Sequence, residues 1–336
     1  MNMALPQFLP WQKEMARTWL AGRNNFAHAW LIHGLAGIGK QQFALAAAAA
    51  LLCESPQEQM ACGRCSACQW VAAGSHPDLR RIRPDAVAAL EGDETEDDAA
   101  TPKKSLSREI RVEQLRQLHH WFNTATHRGG FRVAVLYPAE SLNMISANAM
   151  LKVLEEPPQG TVFLLVSDTP DRLLPTLVSR CRRFPLSVPA PETAQKWLQQ
   201  QGLAEPHSWL AAAGGAPLKA CPVWLRALVV GLTQDKEADP GGVADALEKQ
   251  PVTVWVDALQ RWWLDLMLVA QDGEPRYYPE LTTFTRQIAS RVSASTMAEM
   301  ARWLVQQKAV STHPLSTKLF IQTALQRVLL ACQSAG

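Results

Sequence analysis

The sequence predicts an α/β module built on a parallel sheet, followed by a small helical domain and an all-helical C-terminal domain. Three observations support this prediction. A glycine-rich loop lies between a short apolar strand and an alanine-rich helix, apolar runs and helical patterns alternate as far as about residue 187, and only helical patterns follow. Strands buried on both faces of a parallel sheet are apolar throughout, and helices usually connect them. A chain of 336 residues is long enough for about two or three domains.

Composition and charge exclude some classes of function. The net charge is +2, and the Lys and Arg residues are spread along the chain, so no nucleic-acid footprint is visible at this level. No run of about 20 apolar residues could cross a bilayer, and residues 1–12 lack the pattern of a signal peptide. We therefore expect a cytoplasmic protein. In that compartment seven cysteines indicate metal binding or free thiols rather than disulfides.

The glycine-rich loop over residues 34–41 is the first element that predicts chemistry. It fits G-x-x-x-x-G-K but lacks the Ser or Thr that normally follows the lysine, and its strand–loop–helix context is that of a phosphate-binding loop, or P-loop. Gln41 replaces the hydroxyl that usually binds Mg²⁺, the ion that neutralises charge in phosphoryl transfer. Backbone amides and one positive charge would still surround a phosphate. The residues that would supply them are Gly34, Gly37, Gly39 and Lys40.

Four cysteines follow the helix that begins after this loop. They have the spacing C-x8-C-x2-C-x2-C within sixteen residues and are Cys53, Cys62, Cys65 and Cys68. Tetrahedral Zn²⁺ takes four thiolates, and two-residue spacings suit a knuckle around one ion. A complete set of four leaves no open coordination position, so we expect a structural zinc insertion over residues 53–68. An iron–sulfur cluster, or four unrelated buried cysteines, are the alternatives.

The alternation of strands and helices is interrupted once before it resumes. Residues 85–104 are rich in Asp, Glu and Ala and poor in large apolar side chains, which predicts a solvated, disordered acidic loop. Helical spacing then covers residues 107–123. Near-continuous apolar runs over residues 131–137 and 161–167 predict two strands of the parallel sheet, with a helix between them.

The strand over residues 131–137 ends without the acidic pair that a P-loop ATPase needs. In such enzymes an Asp at the strand end reaches Mg²⁺, and a further residue orients the attacking water. Tyr137 and Pro138 occupy those positions here. Glu140 lies too far past the strand end to replace them, and we interpret it as a surface glutamate near the start of a helix. Gln41 and Tyr137 thus both argue against ATP hydrolysis by this chain alone.

A basic stretch closes the α/β module. Ser179-Arg180-Cys181 follows a short helical segment and is itself followed by Arg182 and Arg183. Taken alone, such a stretch is most often a solvated or ion-paired surface. An arginine supplied by a neighbouring chain can instead stabilise the charge of phosphoryl transfer, because the guanidinium presents a fixed fork of donors. Arg180 is therefore a candidate trans-acting residue.

We expect three domains. Residues 1–186 form the α/β module, residues 187–215 a small helical domain that starts at a proline-rich stretch, and residues 216–336 the all-helical domain. Trp262 and Trp263 are adjacent in one of its helical patterns. Consecutive residues of a helix do not share a face, so we expect that only one of the two faces the core and that the other marks a bundle or subunit contact.

Several motifs together resemble bacterial DNA polymerase III clamp-loader subunits of the AAA+ family. They are Ala-Asn-Ala-Met-Leu-Lys-Val-Leu-Glu-Glu-Pro-Pro over residues 147–158, Phe-Leu-Leu-Val-Ser over residues 163–167, Ser179-Arg180-Cys181, residues 107–116, and the four-cysteine insertion with His76-Pro77-Asp78 behind it. The resemblance covers residues 10–220, and beyond them it extends to helical character only. The motor subunits of this family, tau and gamma, keep the P-loop hydroxyl and the acidic pair. The delta-prime kind has lost parts of both but keeps Ser-Arg-Cys, and this chain departs in the same direction.

The resemblance implies a non-hydrolysing subunit of a five-membered ring in the replisome. Its partners would be the motor subunits tau and gamma, the delta subunit and, through the complex, the sliding clamp and primer–template DNA. Arg180 would reach the ATP site of a neighbouring motor subunit, and Ser167 would stand at the first sensor position. Residues 187–215 would form the lid and residues 216–336 would join the collar of the ring. Because Lys40 is kept, nucleotide binding by the loop stays open.

Two other functions stay open at the level of sequence. An ATP-hydrolysing motor subunit with an unusual Mg²⁺ ligand would show DNA-stimulated ATPase as a purified chain, abolished by Lys40→Ala. A zinc-dependent DNA-binding module would show salt-dependent DNA binding that is lost on Cys65→Ser. The cysteine cluster carries too little positive charge to favour the DNA-binding module. Arg64 is the only arginine within it, and no basic, aromatic-rich stripe lies beside it in the sequence.

Overall fold

The computed structural model describes residues 4–92, 106–122, 126–127, 130–233, 240–310 and 317–333. The chain divides into two compact units, Met1–Thr193 and Ala194–Gly336. The predicted fold class is confirmed, because the first unit is α/β with a parallel sheet and the second is helical. The division into three domains stays a prediction. Within the described residues, no helix is long and apolar enough to cross a membrane.

The first unit is organised around a five-stranded sheet. Its strand order is β2-β3-β4-β1-β5, and every neighbouring pair is parallel. Because all strands run the same way, their carboxyl ends meet at one edge, which is where parallel α/β folds carry their sites. The central strands are buried along almost their whole length, as their apolar sequences predict. The strands are β1 (Ala29–His33), β2 (Leu79–Ile82), β3 (Arg132–Leu136), β4 (Thr161–Ser167) and β5 (Arg182–Pro185).

Helices alternate with these strands. The alanine-rich helix packs against the two central strands β3 and β4, and small side chains allow the close approach. The helix before β4 is preceded by Asn143, whose side chain accepts a hydrogen bond from the amide of Ser146 and so caps the first turn. The helices described are α1 (Lys13–Ala21), α2 (Lys40–Leu52), α3 (Ser66–Ala72), α4 (Asp85–Leu90), α5 (Val112–Phe122), α6 (Met144–Glu155), α7 (Pro175–Val178) and α8 (Pro191–Gln200), which crosses the unit boundary.

The edge strand β5 is not predicted by the sequence pattern. It carries two arginines and is largely exposed, so it lacks the apolar run that marks a buried strand. Arg182 instead lies over the ring of Trp30, 5.3 Å from its centroid, and Phe184 packs on Trp19 at 4.8 Å. The basic stretch after Cys181 is therefore part of the sheet, held by aromatic contacts to β1 and α1.

The acidic loop predicted over residues 85–104 requires a correction at its start. Asp85–Leu90 is the helix α4, and its last turn is followed by Glu91. Pro84 precedes the helix, Asp85 lies in its first turn, and alanines fill its centre, all of which favour a short helix over a loop. Residues 93–104 lie outside the described residues.

The second unit consists of helices around an apolar core. A small group of buried side chains, Ala194, Leu198 and Leu210, joins its first two helices, and a larger core occupies the rest. The helices that follow α8 are α9 (Pro206–Ala212), α10 (Val223–Thr233), α11 (Pro240–Glu248), α12 (Val252–Val269), α13 (Thr282–Ala289), α14 (Ala294–Val310) and α15 (Thr317–Gln333).

The expectation that only one of Trp262 and Trp263 faces a core is wrong. Both side chains are fully buried in the same core. The central helix α12 contacts α13 and α14, so two of its faces are covered. The indole of Trp262 donates to Thr285 Oγ1 on α13 and that of Trp263 to the carbonyl of Met297 on α14. Each polar NH is thus satisfied inside the core.

Candidate functional site

The P-loop between β1 and α2 has a backbone that requires glycine at specific positions. Gly34 has φ +151°, and a Cβ added there would lie 2.5 Å from the carbonyl oxygen of Leu186. Gly39 has φ +89° and is the residue from which α2 begins. Both conformations are costly for residues with a side chain. The loop therefore adopts the turn predicted from its glycines.

The segment before α1 holds the P-loop by donating hydrogen bonds to its carbonyl groups. The indole of Trp11 donates to the carbonyl of Ile38 at 3.0 Å, and the amide of Gln12 donates to that of Gly39 at 2.8 Å. Gln12 is fully buried. The carbonyl of Gly39 also accepts from the amide of Phe43 in α2, so Gln12 adds a second hydrogen bond there and ties the loop to the segment before α1. Sequence reasoning missed these contacts, because an N-terminal glutamine carries no signal of its contact.

Lys40 lies inside the loop. Its side chain is 3% exposed, and its Nζ is 2.9 Å from the carbonyl oxygen of Gly34 and 2.6 Å from that of Leu35. Its third partner is Asp168 Oδ1 at 2.5 Å. Asp168 directly follows Ser167, the last residue of β4, and Ser167 pairs with His33 at the end of β1. The sheet register thus brings Asp168 beside the loop.

Glu140 is not the ordinary surface glutamate that the sequence predicts. Its Oε1 accepts hydrogen bonds from Ser167 Oγ at 3.0 Å, from the Thr169 amide at 2.7 Å and from the Asp168 amide. The short 3-10 turn after β3 that carries Glu140 faces the end of β4, because β3 and β4 are neighbours in the sheet. Glu140 therefore holds the turn on which Asp168 lies.

The two departures from the motor pattern meet at one carboxylate. Gln41 Nε2 donates to Glu91 Oε1 at 2.6 Å, and the hydroxyl of Tyr137 donates to Glu91 Oε2 at 2.9 Å. Arg83 completes the group, with its Nε 2.9 Å from Glu91 Oε2. Burial raises the pKa of Tyr137, so its hydroxyl stays protonated and acts as a donor. Glu91 lay in the segment predicted to be disordered, and no sequence signal links it to the loop.

Arg180 contacts a different part of the first unit. Its Nη1 donates to the carbonyl of Thr176 in α7 at 2.8 Å, and its Nη2 lies 2.5 Å from Glu155 Oε1 at the end of α6. The Arg180 side chain is 35% exposed and that of Glu155 is 49% exposed. The neighbouring Cys181 is buried. Arg180 thus lies at the surface in an exposed ion pair, anchored by a buried residue beside it.

The four cysteines come together as the sequence predicts. Their Sγ atoms all lie within 4.8 Å of one another, with Cys53 and Cys65 at 3.8 Å and Cys62 and Cys68 at 4.0 Å. Four sulfurs at about 2.3 Å from one tetrahedral ion would be about 3.8 Å apart, so the cluster can hold a metal ion. The short helix α3, absent from the sequence prediction, places Cys68, whose amide donates to Cys65 Sγ.

The thiols differ in how readily they release their protons. Backbone hydrogen bonds from Arg64 and Cys65 lower the pKa of Cys62 to about 6. Burial raises the pKa of Cys53 and of Cys68. A bound cation would displace the protons of the buried thiols, since only thiolates are metal ligands. The cluster is thus suited to a cation, whose positive charge would balance the negative charge of the thiolates.

Comparisons with known proteins agree on one family. The sequence model described as "DNA polymerase III, delta subunit" matches residues 13–190. The DNA polymerase III subunit delta' of Pseudomonas aeruginosa is 34% identical over 96% of this chain and 94% of its own length. The delta' subunit of Escherichia coli K12 is 33% identical over 61% of this chain and 57% of its own length. The tau subunit of the same organism is 35% identical over 48% of this chain and 22% of its own length.

Proposed function

This chain belongs to the DNA polymerase III delta' family of clamp-loader subunits, and on that premise we propose that it supplies an arginine to a neighbouring ATP site and hydrolyses no ATP itself. Its partners in this proposal are tau or gamma motor subunits and the delta subunit. Through the complex it acts on the sliding clamp and on primer–template DNA. The sequence similarity to subunits named tau and gamma in other bacteria supports this choice of partners.

One observation carries the first half of the proposal. Gln41 and Tyr137, which replace the Mg²⁺-binding hydroxyl and an acidic residue, are both hydrogen-bonded to Glu91. A Mg²⁺ ion at this place would find no hydroxyl at residue 41 and no carboxylate at residue 137, and both side chains present donate their hydrogen bonds to Glu91. The carboxylate of Glu91 is in turn neutralised by Arg83. The group is a self-contained polar network, which supports the absence of hydrolysis in this chain's own site.

The contacts of Arg180 support the second half of the proposal, in which this arginine serves a neighbouring ATP site. Its guanidinium is partly exposed, and the carboxylate that holds it belongs to Glu155, which is more exposed. Exposed ion pairs contribute about 0–1 kcal/mol to stability. A phosphate of a nucleotide bound to a neighbouring chain could therefore replace Glu155 at little cost. The planar fork of an arginine matches a phosphoryl group with two parallel hydrogen bonds. Glu155 would then act as a placeholder that keeps the guanidinium extended.

We further propose that the cysteine cluster binds Zn²⁺ as a structural ion. The sulfurs are close enough for a single tetrahedral ion, whereas an iron–sulfur cluster would have to fit several irons between the same four atoms. Zinc would join the end of α2, at Cys53, to the start of α3, at Cys65. No coordination position would be left for a substrate.

The test measures ATP hydrolysis by a reconstituted ring. In this ring only one motor subunit has an intact P-loop, and that subunit faces Arg180. We expect Arg180→Ala to lower the turnover of that site by about 10³-fold, the contribution typical of a trans-acting arginine. Clamp-loader assembly, followed by gel filtration, should be unchanged, because the side chain is at the surface. Arg172→Ala is the matched control, since Arg172 is an exposed arginine of the preceding turn. Equal turnover for wild type and Arg180→Ala would remove the arginine from the mechanism.

A further inference from the structure

The ammonium group of Lys40 has all of its donors in use. An ammonium has three N–H groups. Its oxygen partners are the carbonyls of Gly34 and Leu35 and the carboxylate of Asp168, at 2.9, 2.6 and 2.5 Å. The P-loop lysine therefore lies in a complete shell that is built from this chain. A phosphate oxygen could reach Nζ only by displacing one of the three.

Asp168 is the partner that resembles a phosphate. It alone of the three carries a negative charge, and its side chain is 51% exposed whereas Lys40 is 3% exposed. A buried cation needs a counter-charge, because taking it out of water is costly without one. Asp168 supplies that charge from the solvent side of the loop, which is the side from which an anion would enter.

The position of Asp168 is held by other residues. Glu140 accepts hydrogen bonds from the amides of Asp168 and Thr169 and from the hydroxyl of Ser167. The hydroxyl of Thr169 donates to the same oxygen at 3.1 Å. The turn that carries Asp168 is thus tied to the end of β3 and directs one carboxylate at Lys40.

Other charged groups lie near Lys40 at this edge of the sheet. Burial lowers the pKa of His33, at the end of β1, and the positive charges of Arg183 and Lys40 lower it further. Asp171 acts in the opposite direction, so it is a further carboxylate near this edge, besides Asp168 and Glu140. The two cations, Lys40 and Arg183, are thus balanced by carboxylates of this chain.

We propose that Asp168 is an internal anion that closes the P-loop, in the place where a nucleotide would put a phosphate. The loop then keeps its shape without a nucleotide, and the carboxylate competes with any polyphosphate for Lys40. This inference concerns only the chain's own loop. It does not depend on Arg180 or on the assembled ring, so the two proposals can fail separately.

The experiment measures pyrophosphate binding by the purified full-length chain, with isothermal titration calorimetry. Asp168→Asn leaves the buried ammonium without a counter-charge, so pyrophosphate should bind this variant at least roughly tenfold more tightly than it binds wild type. The double variant Lys40→Met/Asp168→Asn should lose that gain. Asp171→Asn is the matched control: it removes the same charge from the same edge and should change the affinity by less than about threefold.

Thermal melting provides a second measurement. Asp168→Asn should melt below wild type in buffer and regain stability when pyrophosphate is added, whereas wild type should not respond. If Asp168→Asn does not fold, Glu140→Gln replaces it, because loosening the turn should also raise pyrophosphate affinity. Equal affinity in wild type and Asp168→Asn would overturn the proposal. So would a gain in Asp168→Asn that survives the loss of Lys40, since the anion would then bind elsewhere.

Discussion

The P-loop and the cysteine cluster, which can hold a metal ion, lie at the two ends of the same helix, α2. In the P-loop the charged groups satisfy one another: Lys40 pairs with Asp168, and Glu91 pairs with Arg83 and accepts from Gln41. In the cluster the four donors are of one kind, and their sulfurs lie within 4.8 Å of one another. Four thiolates at such short distances would repel one another, so the cluster requires bound protons or a bound cation.

The difference concerns what each site needs in order to be stable. A site that contains both charges can fold without a ligand. A site of four potential thiolates gains its stability when a cation binds, because the ion supplies the opposite charge and replaces protons. In the two proposals, one end of α2 is closed by the protein itself and the other end is stabilised by a metal ion. The following predictions test that contrast.

The largest effect is expected from metal removal. Chelation under reducing conditions, or Cys65→Ser, should lower the free energy of unfolding by more than about 4 kcal/mol, as loss of a structural metal does. Thermal melting and metal content by atomic spectroscopy provide the measurement. Cys181→Ala is the matched control, because Cys181 is a buried cysteine outside the cluster. This variant should keep its full metal content. An unchanged melting curve after complete chelation would show that the cluster does not stabilise the fold.

A smaller effect is expected from Lys40→Met. The variant keeps much of the side-chain volume but leaves the carbonyls of Gly34 and Leu35 without their donor, which costs about 1–3 kcal/mol. Denaturant unfolding of the purified chain provides the measurement. Lys152→Met is the control, because Lys152 is exposed on α6 and should change stability by less than about 0.5 kcal/mol. ATP hydrolysis by the ring should be unaffected by Lys40→Met, and a large fall would show that this loop takes part in turnover.

The smallest effect is expected from Tyr137→Phe, and it depends on pH. At pH 8 the variant should be less stable by about 1 kcal/mol, because one hydrogen bond to Glu91 is lost. The pKa of Tyr137 is raised in the folded chain, so the wild-type contribution is fully present below the unfolded value of about 10 and is lost as the pH rises through the folded value. Above pH 10 the wild type should therefore lose about 1.4 kcal/mol per pH unit relative to the variant.

Unfolding measurements between pH 8 and pH 11 check this prediction. The gap between wild type and Tyr137→Phe should shrink and then reverse. A gap that stays constant over this range would show that Tyr137 ionises equally in both states, and hence that burial does not raise its pKa in solution.

Local spacing predicted most of the features that carry chemistry. The glycines of the P-loop, the four cysteines and Ser179-Arg180-Cys181 are each short patterns whose residue types and intervals are visible in the chain. Strands β3 and β4 were predictable because a strand buried on both faces must be apolar. Strand β5 was not, because its arginines are at an edge and pack on Trp30, a contact that no local pattern encodes.

Contacts across the fold decided what those features do. Glu91 contacts Gln41 from fifty positions away, and Glu140, in the turn after β3, contacts the turn after β4. Both contacts depend on which strands are neighbours and in what register, and a single sequence contains no direct signal of either.

The sequence by itself determined that this chain has a P-loop without its hydroxyl, a set of four cysteines for a metal ion and an arginine after a short helix, because each depends on residues near one another in the chain. The tertiary structure decided that Lys40 faces Asp168, that Gln41 and Tyr137 share Glu91, and that Trp262 and Trp263 enter one core. Those outcomes depend on the parallel order of the sheet and on the helices around α12, which bring distant residues within a few ångströms.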